Sequence, residues 1–327
     1  MTRHGGLAGR LAGLGLAAVL TTLAGCNAEA GVARDLRTAC RAGEATACTE
    51  LGYRARQGDH MLRDWRMAAE LFGEACERGD PEGCERLGWL HLHDRSEDRG
   101  VPHDSAVATA LLTRACDEEV WAGCIRLARL HLEPDSVVSD TIVPTGPLHD
   151  PARAAELLGR ACGGGDMEGC TRLGTLVAEG SGVDADTARA VALHREACDG
   201  GSALGCTNLG RALATGMGLP PDPAAAAPLY EGACEEEEML GCFRLADLYD
   251  RGDGVPQDHE RAEDLFDRSC RGELFLDEGS PAVAEACFRL AEMHTDGTAE
   301  NPNIFRARSN YRRACALGYA DACGRGG

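Results

Sequence analysis

The chain has 327 residues and a formal net charge of −20, from 33 basic and 53 acidic side chains. All of the basic residues are arginine, since the sequence contains no lysine. A surface with this excess of acidic groups repels nucleic acid, so the composition excludes nucleic-acid binding as the main function. The chain also contains 17 cysteines, most of which recur at regular intervals along the sequence.

The N-terminal segment has the pattern of a bacterial export signal. Two arginines precede an apolar run from Leu11 to Leu23, which is too short to span a membrane and ends at small residues. The tetrapeptide Leu-Ala-Gly-Cys that ends at Cys26 resembles the lipobox of bacterial lipoproteins, in which cleavage before the cysteine leaves its thiol to be acylated. The alternative is an ordinary signal peptide followed by an unrelated cysteine.

The lipobox resemblance implies a lipoprotein signal peptide at residues 1–25, lipidation at Cys26 and a lipidated tether at 26–35. Loss of residues 1–25 removes two arginines and no acid, so the mature charge is 31 − 53 = −22. Asn27 stands where an Asp would resemble an inner-membrane retention signal, which favours the outer membrane. The sequence shows no polybasic membrane-binding patch, so the acyl chains are the predicted membrane attachment. We therefore expect an exported membrane lipoprotein on the periplasmic side or cell surface.

The other sixteen cysteines form eight pairs, seven of them spaced Cys-x7-Cys with a base period of 36 residues. In an exported protein such spacing indicates disulfides, and pairing within each unit is favoured because equal-length units bracket a predicted turn. Zinc held by two neighbouring pairs is the alternative, although zinc sites use tighter spacings. The predicted disulfide cysteines are Cys40, Cys48, Cys76, Cys84, Cys116, Cys124, Cys162, Cys170, Cys198, Cys206, Cys234, Cys242, Cys270, Cys287, Cys315 and Cys323.

The residues around each pair predict two helices per repeat. Upstream of the first cysteine, Ala and Leu recur eight and five residues away and form the apolar stripe of a helix that we call helix B. Twelve residues upstream, Asp or Asn is placed to cap its first turn. Downstream of the second cysteine, Leu followed by Gly or Ala marks helix A, where the small residue allows close helix packing. Helix A is predicted to end at a left-handed glycine at Gly58, Gly180, Gly216, Gly252 and Gly297.

The combined pattern, Cys-x2-Leu-Gly followed by Gly-x-Gly-Val, Asp-x3-Ala-x2-Leu and Ala-Cys, resembles the Sel1-like repeat in its secreted, cysteine-rich bacterial form. This family is related to the tetratricopeptide repeat. The resemblance implies an all-α fold, a right-handed α/α solenoid (superhelix) of helical hairpin repeats stapled by disulfides. It covers residues 36–327, with about seven repeats and a truncated C-terminal cap. A polar insertion from Pro134 to Pro147 and a widened loop at Leu274, Phe275 and Leu276 interrupt the period.

We expect a lipid-anchored scaffold or adaptor of the bacterial cell envelope, whose partner is a protein or an envelope polymer. Five arginines stand two residues after a second cysteine, on the helix that lines the concave face in solenoids of this type, and are candidates to clamp partner carboxylates. The alternative is that each arginine pairs with an acid of the adjacent unit and serves only packing. The candidate partner-binding residues are Arg86, Arg126, Arg172, Arg244 and Arg289.

The alternative function is a β-lactamase-like or penicillin-binding hydrolase, as catalogued for cysteine-rich members of the family. Serine enzymes of that class use Ser-x-x-Lys and Lys-Thr-Gly, which a chain without lysine cannot contain. A metal-dependent version would need clustered histidines, and His91 and His93 are the candidates. Because His91, His131 and His294 share one repeat position, they are predicted to pack within helix A. We predict no catalytic residue, metal ligand or cofactor and favour a non-enzymatic function.

Overall fold

The structure is a computed structural model that contains fifteen α-helices, one short 3-10 helix and no strand in the residues it describes. These residues are 31–58, 63–93, 100–132, 149–272 and 281–326. They fall into two compact units, unit 1 (Met1–Leu148) and unit 2 (His149–Gly327). The predicted signal peptide, Cys26, the insertion from Pro134 to Pro147 and the loop at Leu274 to Leu276 lie outside the described residues.

Six helices lie in the described part of unit 1, and from α2 onwards each packs on the next. α2 and α3 form one hairpin, α4 and α5 form a second, and α3 packs on α4 as α5 does on α6. The bounds are residues 31–41 (α1), Ala45–Gln57 (α2), Trp65–Glu77 (α3), Pro81–His93 (α4), Ser105–Asp117 (α5) and Trp121–Leu132 (α6).

Unit 2 continues the same alternation and ends in a 3-10 turn at Ala320–Ala322. Its α-helices are Pro151–Gly163 (α7), Met167–Glu179 (α8), Thr187–Asp199 (α9), Ala203–Thr215 (α10), Pro223–Glu235 (α11), Met239–Arg251 (α12), His259–Arg271 (α13), Pro281–Asp296 (α14) and Ile304–Ala316 (α15). Helices α8 to α15 pair as four hairpins, and each hairpin packs on the next within the unit. Across the described ranges, none of the helices is both long enough and apolar enough to cross a membrane.

Eight disulfides fasten consecutive helices together, with Cα–Cα distances of 4.4 to 4.9 Å. Each ties the end of a helix B to the start of the next helix A, and the last ties α15 to the final turn. The bonded pairs are Cys40–Cys48, Cys76–Cys84, Cys116–Cys124, Cys162–Cys170, Cys198–Cys206, Cys234–Cys242, Cys270–Cys287 and Cys315–Cys323. The predicted all-α fold class, an α/α solenoid of helical hairpins stapled by disulfides, is confirmed within each unit.

Helix B begins, and helix A ends, at the types of residue that the sequence predicts. Seven helices of type B begin after an Asp or Asn whose side chain accepts a hydrogen bond from a backbone N–H of the first turn, as predicted. These caps are Asp64, Asp104, Asp150, Asp186, Asp222, Asp258 and Asn303. The five glycines predicted to end helix A have φ values from 70° to 87°, a region that favours glycine because it has no Cβ.

The largest buried side chain of each helix B lies four residues before its cysteine, one position beyond the predicted leucine. It packs on the small residue of helix A, so that a Cβ on Gly52 would lie 2.6 Å from the Phe72 ring. The same register pairs Gly210 with Tyr230, which is 1% exposed. The small residues therefore serve close helix packing, as the sequence predicted. The residues at this buried position are Phe72, Leu112, Leu158, His194, Tyr230, Phe266 and Tyr311.

Replacing Gly210 with alanine is expected to lower the free energy of unfolding by about 1–3 kcal/mol, because the new methyl would overlap the Tyr230 ring. Gly232 on α11 is the matched control, since a Cβ there meets nothing within 4 Å. Gly232→Ala should raise the free energy of unfolding by about 0.5–1 kcal/mol through helix propensity. Urea denaturation measures the free energy of unfolding of both variants. If the two substitutions changed this free energy in the same direction, the predicted packing would be contradicted.

Candidate functional site

In unit 1, two of the five candidate arginines meet at one buried carboxylate. Glu85 of α4 is fully buried, and its carboxylate contacts the Nε of Arg126 on α6. The other carboxylate oxygen lies 3.0 Å from the Nε of Arg86, the next residue on α4. Glu85 therefore forms ion pairs with guanidinium groups from two consecutive A helices, and of the two only the contact with Arg126 is a hydrogen bond.

Glu85 departs from the repeat pattern, in which the residue after the second cysteine is often threonine. Thr49 donates its hydroxyl to Asp80, the residue before α4, at 2.6 Å, and Thr207 donates to Glu238, the residue before α12, at 2.9 Å. In α4 the threonine is replaced by Glu85, and Val120, which precedes α6, has no side-chain acceptor. The link that threonine makes between neighbouring A helices in three repeats is therefore absent at this point, and a carboxylate that binds arginine takes its place.

A third arginine and two aromatic rings complete the group. Arg56 of α2 lies over Trp89, with 5.2 Å from its guanidinium carbon to the ring centroid, and at 5.9 Å from Tyr53. Arg86 lies 4.7 Å from the Tyr53 centroid, and Arg126 lies 5.8 Å from that of Trp89. Such cation–π contacts hold the guanidinium groups in place. We call these residues, with Glu82, the arginine-aromatic cluster: Tyr53, Arg56, Glu82, Glu85, Arg86, Trp89 and Arg126.

The charges in the cluster are incompletely balanced. Burial lowers the pKa of Arg56, and the neighbouring Arg86 and Arg126 cations lower it further. Burial and the hydrogen bond that Tyr53 donates to Glu82, at 2.9 Å, raise the pKa of Tyr53. Three arginines face two carboxylates, which leaves one excess positive charge in a chain of net charge −20. The Nε of Arg56 is buried and has no hydrogen-bond partner among the described residues. The cluster can therefore accept a further anionic group.

In unit 2 the remaining candidate arginines are spread out. Arg172 is exposed and pairs with Glu168, one turn earlier on its own helix, at 2.8 Å. Arg289 of α14 contacts Asp247 and Asp250 of α12 at 3.4 and 2.5 Å. Arg244 lies over the Phe243 ring at 5.2 Å. Arg289, like Arg126, shows the pairing with an adjacent hairpin that the packing alternative describes. Arg244 and Arg289 both act on Asp247, whose pKa burial raises and these cations lower in part.

Sequence reasoning missed five residues of the cluster: Tyr53, Arg56, Glu82, Glu85 and Trp89. A signal existed for Glu85, because an acid replaces the threonine found at this repeat position in α2, α8 and α10. Arg56 has no counterpart at its repeat position, where the other described A helices carry Leu, Ala, Asp or Thr. Its role becomes visible only when α2 packs beside α4.

The histidines that the sequence singled out contact other parts of the fold where the structure describes them. His91 Nδ1 lies 2.9 Å from the Pro102 carbonyl oxygen, and His294 is 3% exposed within α14. The side chain of His93 lies outside the described residues. The sixteen cysteines that could have supplied zinc ligands are joined in disulfides, so their thiolates are not available to a metal.

Two solved structures are similar to the chain. One is a protective antigen present in uropathogenic Escherichia coli strains and displaying an SLR fold, at 27% identity and TM-score 0.66, over 89% of this chain. The match covers 57% of the antigen's chain, so this protein spans little more than half of its length. The other is a Sel1 repeat protein from Oxalobacter formigenes, at 20% identity and TM-score 0.65, over 89% of this chain and 78% of that one. No curated protein matches the chain.

The sequence model of the Sel1 repeat matches seven segments of the chain, which together make up more than half of it. They are residues 45–80, 81–119, 144–166, 168–202, 203–237, 240–273 and 284–319. Most of these segments begin near the start of a helix A and contain the helix B that follows, in agreement with the observed hairpins. The chain belongs to the Sel1 repeat family.

Proposed function

We propose that the protein is a lipid-anchored scaffold of the bacterial cell envelope that binds a protein partner through the arginine-aromatic cluster. Sel1 repeat proteins are generally protein-interaction scaffolds, and their fold is typically non-enzymatic. The many disulfides indicate an oxidising compartment and hence export. The lipobox-like sequence at Cys26 supplies the anchor in this proposal, and Asn27 favours the outer membrane.

One observation carries the binding proposal: a fully buried carboxylate pairs with two arginines at a position where the other A helices carry threonine or an apolar residue. Burying Glu85 costs free energy unless the charge is paired, and well-packed apolar residues would serve stability equally well. A buried acid that breaks the repeat pattern is therefore better explained by its effect on the arginines. It fixes them where they can act together on a ligand.

The chemistry of the cluster selects a carboxylate. Guanidinium groups bind carboxylates through paired, charge-assisted hydrogen bonds, and those of Arg56 and Arg126 both contact Trp89, at 5.2 and 5.8 Å from the ring centroid. Because packing against Tyr53 and Trp89 already restricts these arginines, little side-chain entropy is lost when a ligand binds. We infer that the partner presents an acidic side chain or a chain terminus to α2, α4 and α6. An acidic ligand also fits a site with excess positive charge on a protein that is otherwise acidic.

Photo-crosslinking in cells tests the proposal. Benzoylphenylalanine placed at Gln57, an exposed residue beside Arg56, should form an adduct with a discrete partner protein. Arg56→Gln should reduce that adduct by about tenfold, the loss expected when a charge-assisted hydrogen bond is removed. Arg56 is chosen because the contacts of Glu85 with Arg86 and Arg126 remain intact in the variant.

The matched control is Arg172→Gln, which removes an exposed arginine whose ion pair lies within its own helix. It should leave the adduct unchanged, and circular dichroism should show the same helix content in both variants. An adduct that survives Arg56→Gln, or one formed with an envelope polymer and no protein, would contradict the proposed function.

A further inference from the structure

Helix α15 is the most basic of the described B helices. It carries four arginines and no acidic residue, in a chain with 53 acids. Arg306 lies 3.6 Å from Glu263 of α13. Arg308, Arg312 and Arg313 are exposed, and no carboxylate among the described residues lies within ion-pair distance of them. These three arginines therefore present uncompensated positive charge to solvent.

The first turn of α15 is exposed and apolar. Ile304 is 50% exposed and Phe305 is 76% exposed, which makes Phe305 the most exposed large hydrophobic residue in the described ranges. The second residue of the six other B helices that begin after an Asp cap is small or charged, namely Arg66, Ala106, Ala152, Ala188, Ala224 and Glu260. An exposed phenylalanine at this position is thus not required by the repeat.

Packing within unit 2 leaves this turn uncovered. In several hairpins the turn after helix A lies against the first residues of the preceding helix B, as Gly218 does on Thr187 and Gly254 on Pro223. No such turn lies on Ile304 in the part of the chain that the structure describes. The final described turn lies further along α15, where a Cβ on Gly326 would be 2.6 Å from Arg312 Cγ. The apolar tip therefore remains free while the far end of the helix is supported.

We propose that Ile304, Phe305, Arg308, Arg312 and Arg313, the α15 surface, dock on a membrane that contains anionic phospholipid. Along the helix axis the arginines lie about 5 to 12 Å beyond Phe305, at the helical rise of about 1.5 Å per residue. In this proposal α15 meets the membrane with its first turn, so that the axial spacing is a difference in depth, and apolar side chains at the interface are buried about 5–10 Å into the boundary between headgroups and acyl chains. With Phe305 at that boundary, the arginines reach the level of the lipid phosphates.

The combination of an apolar tip with exposed arginines favours a membrane, because anionic phospholipid offers an apolar layer and a layer of phosphates next to each other. Each arginine near an anionic surface contributes to attraction, and a phosphate accepts the paired hydrogen bonds of a guanidinium. A chain of net charge −20 is otherwise repelled by anionic lipid, so this surface determines which side of unit 2 faces the membrane. The inference goes beyond the partner-binding function and requires no acylation of Cys26.

Photo-crosslinking to lipid tests the inference in the full chain. Benzoylphenylalanine replaces Phe305 in one variant and Ala188, the exposed second residue of α9, in the control. Each protein is mixed with vesicles of phosphatidylethanolamine and phosphatidylglycerol, and lipid adducts are counted by mass spectrometry after illumination. Position 305 should give at least about tenfold more lipid adduct than position 188, because only α15 combines an apolar tip with free arginines.

The lipid adduct at position 305 should fall by about tenfold in a variant that carries Arg308→Gln, Arg312→Gln and Arg313→Gln together. The same loss is expected when phosphatidylcholine replaces phosphatidylglycerol in the vesicles. Equal adducts at the two positions, an adduct that ignores these changes, or crosslinks from 305 to protein would overturn the inference. Flotation of the chain with vesicles of either composition separately reports its N-terminal anchoring. If the chain floats with the vesicles but gives no lipid adduct at position 305, docking through α15 is contradicted. The protein adduct at Gln57 tests the proposed partner site independently.

Discussion

Complete reduction and alkylation of the eight disulfides is expected to unfold the protein at room temperature without denaturant. Closing a loop of the Cys-x7-Cys size restrains the unfolded chain by about 2.5 kcal/mol on the chain-entropy estimate. Even half of that contribution, taken over eight bridges, matches the about 5–15 kcal/mol by which domains are usually stable. The core compensates little, because only 4% of residues are aromatic and its B helices pack on alanine and glycine. Far-ultraviolet circular dichroism before and after reduction measures the loss.

A single-bridge variant gives the scale of the effect. Replacing Cys234 and Cys242 with serine should lower the free energy of unfolding by about 2.5 kcal/mol while the neighbouring hairpins stay folded. The control is a chain that is alkylated without reduction, which should retain its helix signal and its unfolding midpoint. A reduced chain that keeps its helicity and unfolds cooperatively would show that the bridges are not the main source of stability.

Acidification is expected to destabilise the protein through His194. This side chain is 2% exposed, packs on Gly174 and has no hydrogen-bond partner for either ring nitrogen among the described residues. Burial, with a smaller contribution from the Arg211 cation, lowers the pKa of His194 to about 4. The unfolded chain, with an ordinary histidine pKa of about 6.5, therefore binds a proton that the folded protein excludes.

The His194 contribution is fully present above pH 6.5 and is lost as the pH falls towards 4, to a total of about 3 kcal/mol. Phenylalanine, which repeats already carry at this position in Phe72 and Phe266, provides the control. His194→Phe should remove most of this pH dependence while keeping the packing against α8. Urea midpoints measured from neutral to acidic pH distinguish the two proteins, and parallel curves would contradict the assignment.

Much of the fold could be predicted because the relevant interactions are local and recur. An Asp before a helix caps it through a contact two or three residues away, so Asp64 and Asp258 act alike in different hairpins. A glycine at a helix end needs no partner outside its own turn, as at Gly180 and Gly252. Each disulfide joins segments that a short turn already brings together. One repeat therefore contains nearly all the information that the others need.

The candidate site could not be predicted in the same way, because it depends on contacts between repeats and on residues that break the pattern. Glu85 and Arg126 are 41 residues apart in sequence, and only the packing of α4 beside α6 brings them together. The predicted row of arginines at one repeat position separates into different environments for the same reason. The α15 surface was also missed, since its arginines are interrupted by other residues and form no basic run. The packing of unit 2 decides that these arginines and Phe305 are exposed together.

The central claim is that disulfides join consecutive helices of an exported chain, and peptide mapping without reduction tests it most directly. Every loop between paired cysteines contains an Asp or Glu, so cleavage at acidic residues separates the two partners of each bridge. The structure predicts eight linked peptide pairs, each joining cysteines 8 residues apart except for the 17-residue separation of Cys270 and Cys287. Cys26 should appear in none of them. Free thiols among the sixteen cysteines, or links between distant hairpins, would contradict the account.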